Sequence, residues 1–248
     1  MKNTVAIVVP VYKSSMSWNE QISWERCKEV FKEKDIILVY PKGLDISAYG
    51  SNVGKSISIS AHYFKSVHTY SRLMCLPFFY KYFLDYNYIL LYQLDTFIFE
   101  NNLDEWCAGT IDYVGAPWIN ASWINKLKSK ISFIDKLIYP VGNGGLSLRK
   151  VSKFYYSSIF LYPIILIWKR KWHEDFFWAF IGKRLIPGFR IPEIKTALKF
   201  SFEEYPEKLF EMNENKLPFG CHAWEKFNPQ FWAPHFKKYG YDISKFIS

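Results

Sequence analysis

The sequence predicts an α/β sandwich with a mainly parallel sheet, and three observations carry that prediction. Short apolar runs at residues 5–10, 36–40 and 88–92 read as buried strands. Helical spacing over residues 20–34 and 61–85 separates them, the second stretch broken at Pro77. Strands that alternate with helices lie side by side in one sheet, because each helix carries the chain back over it.

The order of elements then becomes mixed. Residues 97–99 resume the apolar character of 88–92 after an interruption. Residues 111–114 and 144–149 read as further strands, and 194–202 as a helix opened by Pro192. No internal repeat or low-complexity linker divides the 248 residues, so the chain is expected to form one large domain.

Composition narrows the function classes. Half the residues are apolar, and the 22 Phe, 18 Tyr and 10 Trp exceed what a core alone needs. Some of these rings should line a groove or sit at a membrane interface. The formal net charge of +9 favours an anionic partner such as a nucleotide or a phospholipid surface. No Arg/Lys-rich helix or RNA-binding aromatic signature is present, which speaks against nucleic acid. Cys27, Cys75, Cys107 and Cys221 form no CxxC pair and read as buried free thiols of a reducing compartment. Residues 3–10 (NTVAIVVP) read as a first strand and not a signal peptide, which points to the cytosol.

One segment has two readings. Residues 154–168 (FYYSSIFLYPIILIW) are apolar and aromatic, with Lys169, Arg170 and Lys171 following. The run is short for a spanning helix, and Pro163 interrupts it. It fits a core helix plus loop, or an interfacial patch with its basic residues on anionic lipid.

Four clusters carry candidate chemistry. In YILLYQLDTFIFE the buried run ends in Gln93-Leu94-Asp95. A carboxylate at the end of a buried strand is costly unless a charge or hydrogen bonds compensate it. Gln93 and Asp95 are two positions apart, so both face one side of an extended chain and suit a hard cation. A cap on the following turn would also explain Asp95. Residues 141–149 (VGNGGLSLR) hold three glycines and suit close backbone approach to a substrate, or an ordinary hairpin turn. His173-Glu174-Asp175 precedes an aromatic run, as a helix start or as the place of a general base. His222, between Gly220 and Trp224, is a satisfied histidine or a metal ligand. A fifth stretch, GSNVGKS at residues 50–56, has three residues between its glycines where a P-loop needs four, and reads as a surface loop.

Taken in order, the four clusters resemble the shared core of GT-A fold glycosyltransferases: an acidic metal motif, a glycine loop, an xED motif and a C-terminal metal-binding His. The opening run Val8-Val9-Pro10-Val11-Tyr12 is similar to the nucleotide-binding first strand of such enzymes. The runs YILLYQLDTFIF, VGNGGLSLRK and LPFGCHAWEKFNPQFW more closely resemble a bacterial family regarded as glycosyltransferases and catalogued as a domain of unknown function, DUF5672. The resemblance spans about residues 5 to 232. It implies a Rossmann-like three-layer α/β/α sandwich over 1–248, with a nucleotide-binding half to about 118 and an acceptor-binding half from about 119.

The resemblance further implies a nucleotide-sugar donor, UDP-linked, and a Mn²⁺ or Mg²⁺ ion held by Asp95 and His222. Asp175, the last acid of xED, becomes the base of an inverting transfer, with Glu174 as a helix-start or sugar-binding residue. Pro10, Val11, Tyr12, Gln93, Gly144 and Gly145 fall on the donor side; residue type alone, and not the resemblance, suggests Tyr12 for stacking on the base and Arg72 or Arg149 for phosphate. A glycan or lipid-linked acceptor of surface polysaccharide synthesis, at the inner face of the cytoplasmic membrane, fits the charge and the aromatic excess. Gln93 departs from the family pattern, where the first position of the metal motif is an acid; a neutral ligand weakens metal binding. Two other classes remain. A sugar-nucleotide pyrophosphorylase usually carries a Gly-rich basic loop after its first strand, where this chain has Val11-Tyr12-Lys13-Ser14-Ser15. A glycan- or lipid-binding module has no need for Asp95, Asp175 and His222 to converge.

Overall fold

Val5 to Val9 are buried without alternation, so the first strand is covered on both faces. In the computed structural model, which describes residues 3–50, 54–119, 141–167 and 173–247, this strand lies at the centre of a six-stranded sheet. Its strands are β1 (Asn3–Pro10), β2 (Asp35–Pro41), β3 (Lys55–Ile59), β4 (Tyr86–Tyr92), β6 (Tyr113–Val114) and β7 (Leu146–Lys150), in the order β3-β2-β1-β4-β7-β6. β1 pairs in parallel with β2 and β4, and β2 with β3. Only β7 runs against the rest, antiparallel to both β4 and β6. The mainly parallel mixed sheet is the one expected.

Local chemistry explains the elements between the strands. The helix Trp18–Val30 opens on a capping box, with the Ser17 N–H donating to Glu20 Oε2 at 2.8 Å. The expected long helix over 61–85 is instead a 3₁₀ turn, Ala61–Phe64, and two short helices, Val67–Leu73 and Pro77–Lys81. Ser66 restarts the chain as an N-cap, and Leu76 is held extended ahead of Pro77. Lys55 and Ser56, read above as part of a surface loop, begin the edge strand β3. Ser51, Asn52 and Val53 lie outside the described residues, as do Trp168, Lys169, Arg170 and Lys171. Residues 194–202 divide into the helix Ile194–Phe200 and a strand, β8 (Ser201–Phe202), and Pro192 stands one residue before the helix cap at Glu193. All four cysteines are buried and free.

A second, three-stranded sheet joins β5 (Phe97–Ile98), β9 (Gly220–Cys221) and β8 in the order β5-β9-β8. Each strand is two residues long, so few backbone bonds hold it. Aromatic packing does the rest: Phe97 stacks on Phe236 at 3.9 Å and Phe99 on Trp232 at 5.6 Å. This smaller core draws Phe97, Phe99 and Trp18 from the first half and Leu198, Trp224 and Trp232 from the second. The two halves are interleaved through it.

Candidate active site

Strand direction brings the clusters together. Val8 of β1 pairs with Leu91 of β4, and Tyr92 of β4 with Leu146 of β7. The carboxyl ends of β1 and β4 and the start of antiparallel β7 therefore meet at one edge of the sheet, where open α/β sheets bind ligands. The Gln93 N–H donates to the Gly145 carbonyl at 2.9 Å, which ties Gln93-Leu94-Asp95 to the glycine loop.

The small sheet supplies the other side by the same logic. β8 and β9 are parallel, so Glu203 and His222, one residue past each, emerge together. β5 is antiparallel to β9, so Asp95, just ahead of β5, reaches the same end. His222 Nε2 lies 3.1 Å from Asp95 Oδ1 and 3.3 Å from Gln93 Oε1, while Nδ1 lies 3.0 Å from Glu203 Oε1. Burial alone would lower the His222 pKa, but the carboxylates of Asp95 and Glu203 raise it to about 10. Burial opposes ionisation of Asp95, and the imidazole overrides it, holding the carboxyl below the usual range.

The glycines are small because functional side chains occupy their space. A Cβ on Gly145 would lie 1.8 Å from His222 Nε2, and one on Gly144 would lie 2.4 Å from Glu174 Oε1. Asn143 closes the turn, its Oδ1 accepting the N–H groups of Gly145 at 2.7 Å and Leu146 at 3.2 Å. Glycine here serves close approach to His222 and Glu174, which the turn reading did not anticipate.

The two acids of the xED motif occupy different environments. Glu174 is buried and accepts from Arg149 Nη2 at 2.9 Å and from Ser71 Oγ at 3.4 Å. Arg149 is fully buried, and its other nitrogens donate to Ser147 and to Tyr80, each at 3.0 Å. The expectation that Arg149 meets phosphate is thus corrected, because its guanidinium is fully engaged inside the core. Glu174 is its counter-ion and stands at the start of the helix Glu174–Phe176. Asp175 is only half-buried and takes one N–H, from Phe176 at 2.7 Å. Loss of hydration and the neighbouring Glu174 push its pKa well above the carboxylate range.

Beside this cluster lies a cavity of about 680 Å³, within the range of nucleotide and cofactor sites. Pro10, Val11, Tyr12, Gln93 and Asp95 line it, along with Lys13 and Glu225. Tyr12 is 59% exposed, leaving its ring free to cover a planar base. Arg72 is exposed at the end of the helix Val67–Leu73 and does not line the cavity. Glu203 was missed in the sequence. A short acid pair, Glu203-Glu204, after a two-residue strand carries no signal on its own.

The donor set suits a divalent cation. Asp95 Oδ1 is buried, and its one close polar neighbour across the site is His222 Nε2 at 3.1 Å. Two ligands at right angles around an octahedral ion, each roughly 2.1 Å from it, stand about 3.0 Å apart. The spacings of Asp95 and Gln93 from His222 are close to that. Among the described residues no group of three or more His, Cys, Asp or Glu side chains is placed to hold a metal, so a cation bound by Asp95 and His222 would need the Gln93 amide and ligand oxygens to complete its shell. Glu203 stands behind His222 Nδ1, where a carboxylate orients the imidazoles that bind metals in other proteins.

The fold is shared with solved glycosyltransferases. Galactosyltransferase LgtC, in complex with donor and acceptor sugar analogues, superposes with a TM-score of 0.57 at 13% identity, over 94% of this chain and 94% of that one. Mouse xyloside xylosyltransferase 1 in its apo form gives 0.56 at 8% identity, over 88% of this chain and 97% of that one. Identities this low speak to the fold alone. No curated protein matches the chain. Residues 55–222 match the family described as "Protein of unknown function (DUF5672)", and the chain, built on the GT-A glycosyltransferase fold, belongs to that family.

Proposed function

We propose that this protein transfers a hexose from a nucleotide sugar, UDP-linked, to a glycan or lipid-linked acceptor, with inversion at the anomeric carbon. The observation that carries the reading is the convergence of Asp95, Gln93 and His222 beside a nucleotide-sized cavity, from two different sheets. The base would lie over Tyr12, against Pro10 and Val11. Asp95 and His222, with the Gln93 amide, would hold Mn²⁺ or Mg²⁺. Such an ion supplies Lewis-acid stabilisation of the leaving diphosphate when bound.

The remaining roles fall to the chain itself. Asp175, with its raised pKa and, among the described residues, one carboxylate oxygen without a hydrogen bond, would accept the proton of the acceptor hydroxyl. Glu174, paired with Arg149, holds the glycine loop and the helix start in place so that Asp175 has a fixed position. Residues up to about 118 would bind the nucleotide, since every lining residue of the cavity except Glu225 comes from positions 10–95. The remainder would present the acceptor. The work is surface polysaccharide synthesis at the inner face of the cytoplasmic membrane. Among the described residues no helix is long and apolar enough to cross it, so contact there would be peripheral.

Incubation with a panel of UDP-sugars, Mn²⁺ and glycan acceptors tests the reading. Release of UDP with a new glycosidic bond of inverted configuration is the expected result. Exchange of pyrophosphate without glycoside, or binding without turnover, would replace it with one of the two other classes.

A further inference from the structure

The exposed apolar side chains are not scattered. Of the thirteen large ones among the described residues, six lie in the stretch 156–167, Tyr156, Ile159, Phe160, Tyr162, Leu166 and Ile167, and a seventh, Leu185, lines a cavity with Tyr156 and Phe160. Spacing explains the first three, since positions 156, 159 and 160 share one side of the helix Val151–Phe160. The helix Tyr162–Ile167 continues it, with Ile167 79% exposed. A patch of this kind on a soluble chain marks an interaction surface.

Next to these rings lies a second cavity of about 720 Å³, lined by Tyr156, Phe160 and Leu185 on the apolar side and by Lys150, Lys153 and Arg190 on the basic side. Asp112 is the only acid among its lining residues, and it is engaged with the Arg190 N–H at 2.9 Å and with Lys150 Nζ at 3.9 Å. Lys153 Nζ donates to the Pro187 carbonyl at 2.8 Å. Among the described residues the Arg190 guanidinium makes no ion pair. Three cations against one acid leave the cavity positive, and the aromatic rim sits beside it.

The site is separate from the donor cavity. Lys150 pairs with Tyr88, five positions before Gln93, which places it roughly 17 Å from the metal motif at about 3.3 Å per residue. It opens at the other end of the central sheet.

The geometry points to a docking face for an anionic phospholipid bilayer, with Tyr156, Phe160, Ile159 and Ile167 entering the headgroup region and Lys150, Lys153 and Arg190 taking lipid phosphates. Charge complementarity selects this occupant: apolar rings beside a net positive charge match an anionic leaflet. The far-end position holds the donor cavity away from the lipid, open to nucleotide sugar and to a glycan chain. The inference rests on the peripheral placement proposed above and not on the transfer chemistry.

Co-sedimentation with vesicles of phosphatidylglycerol and phosphatidylcholine, against phosphatidylcholine alone, tests it at low and high salt. The full chain should partition to the anionic vesicles at low salt and release at high salt. Lys153→Gln with Arg190→Gln should weaken partitioning about 25-fold, at roughly fivefold per basic side chain near an anionic surface. Tyr156→Ser with Phe160→Ser should weaken it on anionic vesicles as well. Both double variants should keep wild-type UDP affinity in Mn²⁺, so that loss of docking and loss of the donor site read separately. Equal sedimentation with neutral and anionic vesicles, or unchanged sedimentation of both double variants, would overturn the inference. So would a dimer in solution that Tyr156→Ser with Phe160→Ser dissociates, since the face would then belong to a second copy. Release by millimolar inorganic phosphate at constant ionic strength would assign the cavity to a free anion and also overturn it.

Discussion

The two sheets position functional groups by different physics. The six-stranded sheet fixes Gln93 and the glycine loop through continuous ladders among buried strands, where many backbone bonds share the task. The three-stranded sheet fixes His222 and Glu203 with strands of two residues, and depends on stacked rings such as Phe97 with Phe236. Asp95 sits in the link between them. The candidate ion site is thus a joint, and its two sides should differ in how they fail.

The largest expected effect is at the joint. Asp95→Ala should abolish transfer and cut UDP affinity in Mn²⁺ with the fold kept, and should lower the thermal transition at neutral pH, because Asp95 helps hold the buried His222 in its charged form. Full activity in this variant, or in excess chelator, would break the two-sided account. Next comes Asp175→Asn, which keeps the shape and removes the base. Turnover should fall by roughly a hundredfold or more with UDP binding intact, in the range of general-base contributions. Glu174→Gln should act differently. It leaves Arg149 buried without its counter-ion, so stability should drop by about 3–5 kcal/mol in denaturant titration. A stable but inactive Glu174→Gln would make Glu174 the base instead.

The small-sheet side is sharpened by Glu203→Gln. Removing the carboxylate behind His222 should lower Mn²⁺ affinity by roughly 10- to 100-fold, read by titration calorimetry without any sugar present. Gly145→Ala reaches the same imidazole from the large sheet, since the new Cβ would collide with Nε2, and should match it. If Gly145→Ala weakens Mn²⁺ while Glu203→Gln does not, the small sheet contributes only His222 itself.

Per pH unit, the smallest effect is a slope. Mn²⁺ must displace a proton from His222, whose pKa is held at about 10, so affinity should rise with pH by at most about tenfold per unit between pH 6 and 9. Stability of the metal-free protein follows the opposite course. A value raised above the ordinary 6.5 gives stabilisation that is complete below that pH and is lost as pH climbs through about 10. A flat Mn²⁺ profile would remove His222 from the ligand set.

This contrast also explains what the sequence disclosed. β1, β2 and β4 are legible because strands covered on both faces leave uninterrupted apolar runs. The clusters at Asp95, residues 142–145, Asp175 and His222 are legible because charge, glycine and imidazole are conspicuous beside such runs. The small sheet is not legible, since Ser201-Phe202 and Gly220-Cys221 are too short to show a period and pair only through the tertiary fold. Glu203 is hidden for the same reason. The pairing of Arg149 with Glu174 joins residues 25 positions apart, and residue type alone suggested phosphate for Arg149. β3 was lost because an exposed edge strand, KSISI, carries little apolar signal.

A crystal structure with UDP and Mn²⁺ tests the central claim most directly. The account predicts an anomalous manganese peak between Asp95 Oδ1 and His222 Nε2, in contact with the diphosphate, with uracil over the Tyr12 ring. UDP bound elsewhere, or bound in this cavity with manganese absent from Asp95 and His222, would contradict it.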